Sequence, residues 1–179
     1  MNDTRTSSEA RYGIDIGRVI INPAAPGGGA DTSFLSGGED QAMQTPPAPD
    51  AFRVIRALVE QSAGQVWLVS KCGARIEGRT RRWLARHRFY QETGMPVDHL
   101  RFCLRRPEKR RHCAALGLTH FVDDRLDVLQ HLRGLVPYLY LFGRQRHGTQ
   151  IPSWVRPVVD WREVEQVLEL APLETCPGS

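Results

Sequence analysis

A carboxylate inside an apolar run is costly to bury without a partner or a task, and Asp15 sits in such a run, Tyr12-Gly-Ile-Asp-Ile-Gly-Arg-Val-Ile-Ile21. Three later stretches carry what a phosphoryl-transfer centre wants beside it. They are Val66-Trp-Leu-Val-Ser70, Lys109, and Phe121-Val-Asp-Asp124. A carboxylate can attack phosphorus and form an aspartyl ester that water later cleaves. Attack on an anionic phosphate needs its charge offset, which Mg²⁺, a lysine and hydroxyl donors supply. Asp15 and Asp124 offer the hard oxygens that Mg²⁺ prefers. Ser70 and the amides after it suit phosphate oxygens, Lys71 and Arg18 are candidate substrate-binding cations, and Lys109 is a fixed positive charge for Asp15.

The elements that must position these residues follow from periodicity. Residues 12–16 and 19–21 read as a buried strand and its exit, and Val66–Val69 as a second strand with Ser70 at its carboxyl end. Leu100–Leu104, Thr119–Val122 and Tyr138–Phe142 read as three more. Asp50 is placed to cap a helix whose face is Phe52, Ile55, Leu58 and Val59. A long arginine-rich helix is expected over Ile76–Glu92, another after Pro107 carrying Lys109 and ending at Gly117, a further one through Val128, Leu129 and Leu132, and a last one over Trp161–Leu170. Strands alternating with helices imply right-handed crossovers and a parallel sheet covered on both faces. Ligands bind such sheets beyond the strand carboxyl ends. Asp15, Ser70 and Asp123-Asp124 all fall there, so they are expected to form one site.

The chain has 179 residues, which suits one domain. That domain is expected over residues 11–170, between loose tails at 1–10 and 171–179. Residues 23–50, with Gly27-Gly-Gly29, Gly37-Gly38 and Pro46-Pro47, read as a flexible insertion with little core of its own. No apolar run approaches the roughly 20 residues needed to cross a bilayer, and the polar N-terminus lacks a signal-peptide core, so a cytoplasmic protein is expected. The four cysteines show no CxxC pair and no zinc spacing, which argues against a zinc site. The formal charge is +4, with much of it between Arg75 and Arg111. Such a stretch is either a solvated helix face or an attractor of anionic ligands, nucleic acid included, through Arg79, Arg82 and Arg86.

The order of these motifs resembles the haloacid dehalogenase (HAD) superfamily over roughly residues 11–143. The resemblance puts Asp15 on the nucleophile, Ser70 on the phosphate-binding hydroxyl and Lys109 on the basic residue. Ala115 through Leu129 is its most specific part, with Asp124 as direct metal ligand, Asp123 in support, and Asp127 as a further acidic residue. It implies a three-layer Rossmann-like fold with a central, mostly parallel sheet, little or no cap, and a Mg²⁺-dependent phosphatase acting on a phosphorylated small molecule or nucleotide. One departure stands out. Most such phosphatases carry a second aspartate two residues after the nucleophile, as general acid and then base, and Gly17 occupies that position. The Gly17 carbonyl can still serve the metal, but no carboxyl remains there to protonate a leaving group. Asp31, Glu39 or Asp40 could supply one, or catalysis could be lost and a binding or regulatory protein remain. Dehalogenases also lack the second aspartate, yet they enclose substrate under a helical cap for which residues 23–50 are too rich in glycine and proline.

Overall fold

The computed structural model describes residues 10–21 and 33–170. Alternation along the strands decides its layers. In the second strand Val66 and Leu68 pack into one apolar cluster, while Trp67 and Val69 pack into another. The fifth strand repeats the pattern, with Tyr140 and Phe142 on the first side and Leu139 and Leu141 on the second. A period of two with both faces apolar is the signature of a sheet buried between helical layers.

That sheet has six strands, β1 Tyr12–Ile14, β2 Val66–Lys71, β3 Leu100–Cys103, β4 His120–Asp123, β5 Tyr138–Phe142 and β6 Arg156–Val158. Their order is β3-β2-β1-β4-β5-β6, and every pairing is parallel. The fold is therefore α/β, a Rossmann-like three-layer sandwich. One layer holds α3 (Ala51–Gln61), α4 (Ala74–Arg86), α5 (Phe89–Thr93) and α8 (Trp161–Val167); the other holds α6 (Lys109–Leu116) and α7 (Leu126–Leu132).

Several local expectations are corrected. β1 stops at Ile14, and residues 16–21 form a tight turn rather than a strand. The amides of Val19, Ile20 and Ile21 all donate to the Ile16 carbonyl, and Val19 and Ile20 are fully buried. The indole of Trp161 donates to the Val19 carbonyl at 2.8 Å, which ties this turn to α8. The arginine-rich helix is two helices, because Arg88 takes a left-handed φ of 55° that ends one and starts the next. Asp50 does not cap α3 through its side chain. Its backbone is left-handed and its carboxylate accepts instead from Arg53 and Arg162. β6 was not expected, since Pro157 interrupts its pattern; proline is tolerated there because β6 is an edge strand.

Residues 33–50, the described part of the segment expected to have little core, carry α1 (Ser33–Ser36) and α2 (Glu39–Gln44). Phe34, Ala42 and Ala48 join the main apolar cluster. The arginines of α4 hold this segment. Arg79, 6% exposed, donates to the Phe34 carbonyl at 2.8 Å and to Glu39, and Arg82 donates to Glu39 at 2.6 Å. The Trp83 indole donates to the Thr45 carbonyl at 2.7 Å. Arg79 is thus internal fastening, whereas Arg81, Arg82, Arg86 and Arg88 stay exposed. Residues 23–32 of that segment lie outside the described residues, as do the tail residues 1–9 and 171–179.

Candidate active site

The strand order reverses direction between β1 and β4, and sheets of this kind bind ligands at that switch, beyond the carboxyl ends. Ile14 pairs with Val122, and the Asp15 amide donates to the Val122 carbonyl at 2.9 Å. Asp15 follows β1 and Asp123 closes β4, so this register brings the two carboxylates out side by side. Asp15, Asp123 and Asp124 each offer an oxygen within 4.8 Å of the others.

Lys109 opens α6, and the turn before it fixes its place. Pro107 sits early in a short 3-10 turn, Arg106–Glu108, and the Glu108 carboxylate accepts from the amides of Leu104 and Arg105, both at 3.1 Å. The side chain then runs inward until it is 2% exposed. Its Nζ donates to Asp15 Oδ1 and to Asp123 Oδ2, each at 2.7 Å, above the Phe121 ring at 5.5 Å. A buried ammonium is tolerated only when paired and hydrogen-bonded. Burial alone would push the Lys109 ammonium down; Asp15 and Asp123 together outweigh that and hold it above the usual lysine range.

The neighbouring carboxyls differ in kind. Burial raises Asp123, with the charge of Lys109 opposing. Its Oδ1 accepts from the Arg125 amide at 2.9 Å and its Oδ2 from Lys109, contacts that favour the charged form. Asp124 is raised by burial and by the charge of Asp15, with Arg18 opposing. Its Oδ2 accepts from Arg18 Nε at 2.7 Å and from Arg18 Nη2 as well. Among the described residues, Asp124 Oδ1 and Asp15 Oδ2 accept nothing. These are carboxylate oxygens, hard ligands that suit Mg²⁺ and not a soft metal. The donor set therefore fits the ion expected from sequence: Asp15 and Asp124 could hold it, and Asp123 is committed to Lys109.

The other expected residues separate clearly. Ser70 and Lys71 lie within β2 rather than beyond it. Ser70 is buried, on the same carboxyl edge, and its hydroxyl makes no hydrogen bond among the described residues. Lys71 is exposed and contacts none of the carboxylates. Gly17 lies in the turn after Asp15 and is exposed, with open space where a Cβ would stand. Asp127 lies outside the cluster, paired with Arg106 at 3.1 Å and Arg125 at 3.4 Å. Glu39 is engaged by Arg79 and Arg82, and Asp31 is not among the described residues. Sequence reasoning missed two contacts here. The pairing of Arg18 with Asp124 spans 106 positions and leaves no local trace. The Arg125 amide on Asp123 does have a local signal, an aspartate bonding the backbone two residues on.

No protein-family model and no curated protein matches the chain. Among the described residues, no helix is long and apolar enough to cross a membrane.

Proposed function

We propose that the chain is a Mg²⁺-dependent phosphohydrolase of HAD type, acting through an aspartyl-phosphate on Asp15. The observation that carries this reading is the Lys109 ammonium, buried and shared between Asp15 and Asp123 at 2.7 Å, with Asp124 alongside at the switch point of the sheet. In it, a carboxylate oxygen of Asp15 attacks phosphorus as the bond from phosphorus to the ester oxygen breaks, and the departing oxygen takes its proton from solvent. Water then cleaves the aspartyl-phosphate, freeing Asp15 and inorganic phosphate, while Lys109 holds Asp15 in place and offsets the charge that a phosphate brings to three carboxylates. The Ser70 hydroxyl donates to a phosphate oxygen, and Arg18 and Lys71 are the remaining candidate cations for the substrate. A Mg²⁺ ion held by Asp15, Asp124 and the Gly17 carbonyl would neutralise the phosphoryl oxygens. A phosphorylated small molecule or nucleotide is the substrate class. A nucleic-acid end receives less support, because Arg79 and Arg82 fasten α1 and α2.

Phosphate release across monoesters and nucleotides, with and without Mg²⁺, tests the reading. Asp15→Asn should lower turnover by roughly 10³-fold or more while the fold persists. Unchanged release in that variant removes the nucleophile. Gly17 favours one second reading, a partner-binding protein on this fold; Mg²⁺ binding without any turnover would establish it over the first.

A further inference from the structure

Arg18 holds an arrangement that the phosphohydrolase reading does not require. It is the apex of the Ile16–Ile21 turn, with a left-handed φ of 62°, which is unfavourable for a residue with a Cβ. The turn beneath it cannot yield, because three amides share the Ile16 carbonyl and Val19 and Ile20 are fully buried. Any motion at this position belongs to the side chain, which is 45% exposed. Lys109 is the opposite case, 2% exposed and bonded to two carboxylates.

The site therefore has one buried cation and one half-exposed cation. The half-exposed one rests on Asp124, the carboxylate that the proposed function assigns to Mg²⁺. Both guanidinium contacts go to Oδ2. A divalent cation on Asp124 would stand within a few ångströms of that guanidinium, and like charges at such range repel. Three carboxylates already face Lys109 and Arg18, so a divalent cation would leave the cluster with more positive than negative charge while the guanidinium stayed.

Resting on the phosphohydrolase reading, we propose that Arg18 is the counter-ion a divalent cation displaces from Asp124, and that the released guanidinium then binds the phosphoryl group of the substrate. Metal-free protein keeps Asp124 neutralised by Arg18. Metal binding frees a bidentate donor suited to phosphate oxygens, at the mouth of the site. The two ligands then help one another through a side chain with two resting places, and the help is reciprocal by linkage.

Calorimetric titration of Mg²⁺, alone and with saturating inorganic phosphate, tests this on the full chain. Arg18→Gln removes the charge at similar length, and Arg18→Gly removes it without backbone strain at a positive φ. Both variants should bind Mg²⁺ alone about ten-fold more tightly than the wild type. Phosphate should tighten Mg²⁺ binding by a factor at least about five-fold larger in the wild type than in either variant, since direct attraction between the two ligands persists in all three. Equal Mg²⁺ affinity in all three proteins, or equal tightening by phosphate, overturns the displacement and leaves the metal site standing. Absence of Mg²⁺ binding in all three overturns the metal site itself, and the displacement with it.

Discussion

Under the proposed phosphohydrolase reading, Gly17 leaves the leaving group without a side-chain proton donor two positions after Asp15. A Cβ added there meets nothing within 4 Å, and its φ is not in the left-handed region, so neither space nor backbone demands glycine. Its open surroundings make the missing proton donor restorable. Gly17→Asp should raise phosphate release from alkyl phosphates by roughly 10²-fold, with little change for p-nitrophenyl phosphate, whose leaving group needs no proton. The ratio of the two rates is the measurement; an equal effect on both substrates would remove the general-acid explanation. Asp123 and Asp124 show the same dependence on surroundings. They are adjacent in sequence, yet one is bonded to Lys109 and the other to Arg18.

At the scale of elements, β1 and β4 set the site through one close approach. A Cβ on Gly13 would stand 2.4 Å from Phe121 Cδ2 and 2.5 Å from Leu118 Cδ1. Glycine in β1 leaves room for the Phe121 ring, which lies beneath Lys109, and no loop flexibility is involved. Gly13→Ala should cost about 1–3 kcal/mol in urea denaturation. Phosphate release should fall as well, because the displaced ring lies under the ammonium. α4 carries the second element-scale dependence. Arg79 supports α1 and α2 from a buried position, through a carbonyl and Glu39. Arg79→Ala leaves the Phe34 carbonyl without that donor, while Glu39 keeps Arg82, and should cost about 1–3 kcal/mol. Limited proteolysis should then cut between residues 33 and 45 faster than in the wild type, and equal cleavage rates would count against the fastening role.

For the whole molecule, the clearest pH dependence lies away from the site. His120 starts β4, with the rings of Tyr12 and Tyr138 at 4.7 Å and 4.6 Å and the Thr119 hydroxyl at 2.7 Å from its Nδ1. Burial pushes this imidazole down to about 4, against about 6.5 in the unfolded chain. Below pH 6.5 the unfolded chain takes up a proton that the folded chain refuses until about pH 4. The stability His120 confers is therefore complete above pH 6.5 and is lost as the pH falls toward 4. Partial exposure reduces the effect to roughly 1–2 kcal/mol across that window. His120→Phe keeps the ring stack and removes the titration, so its stability should be flatter between these limits when followed by denaturant midpoints. A wild-type slope retained in the variant would place the titration elsewhere.

The sequence by itself determined the layered α/β architecture, because a period of two in apolar strands and a longer period in the helices between them are local patterns. It also placed the candidate residues on one edge of the sheet. Parallel strands expose their carboxyl ends on one edge, so Asp15, Ser70 and Asp123-Asp124 had to share that edge once the strands were recognised. The tertiary structure decided what each charge does. Arg79 reaches a carbonyl 45 positions away, Arg18 a carboxylate 106 away, and Lys109 joins Asp15 across 94. Basic residues look alike in sequence whether they face solvent, a substrate or the protein's own carbonyls. Distant partners, and the desolvation that accompanies them, separate these cases, and both come into being only when the chain closes on itself.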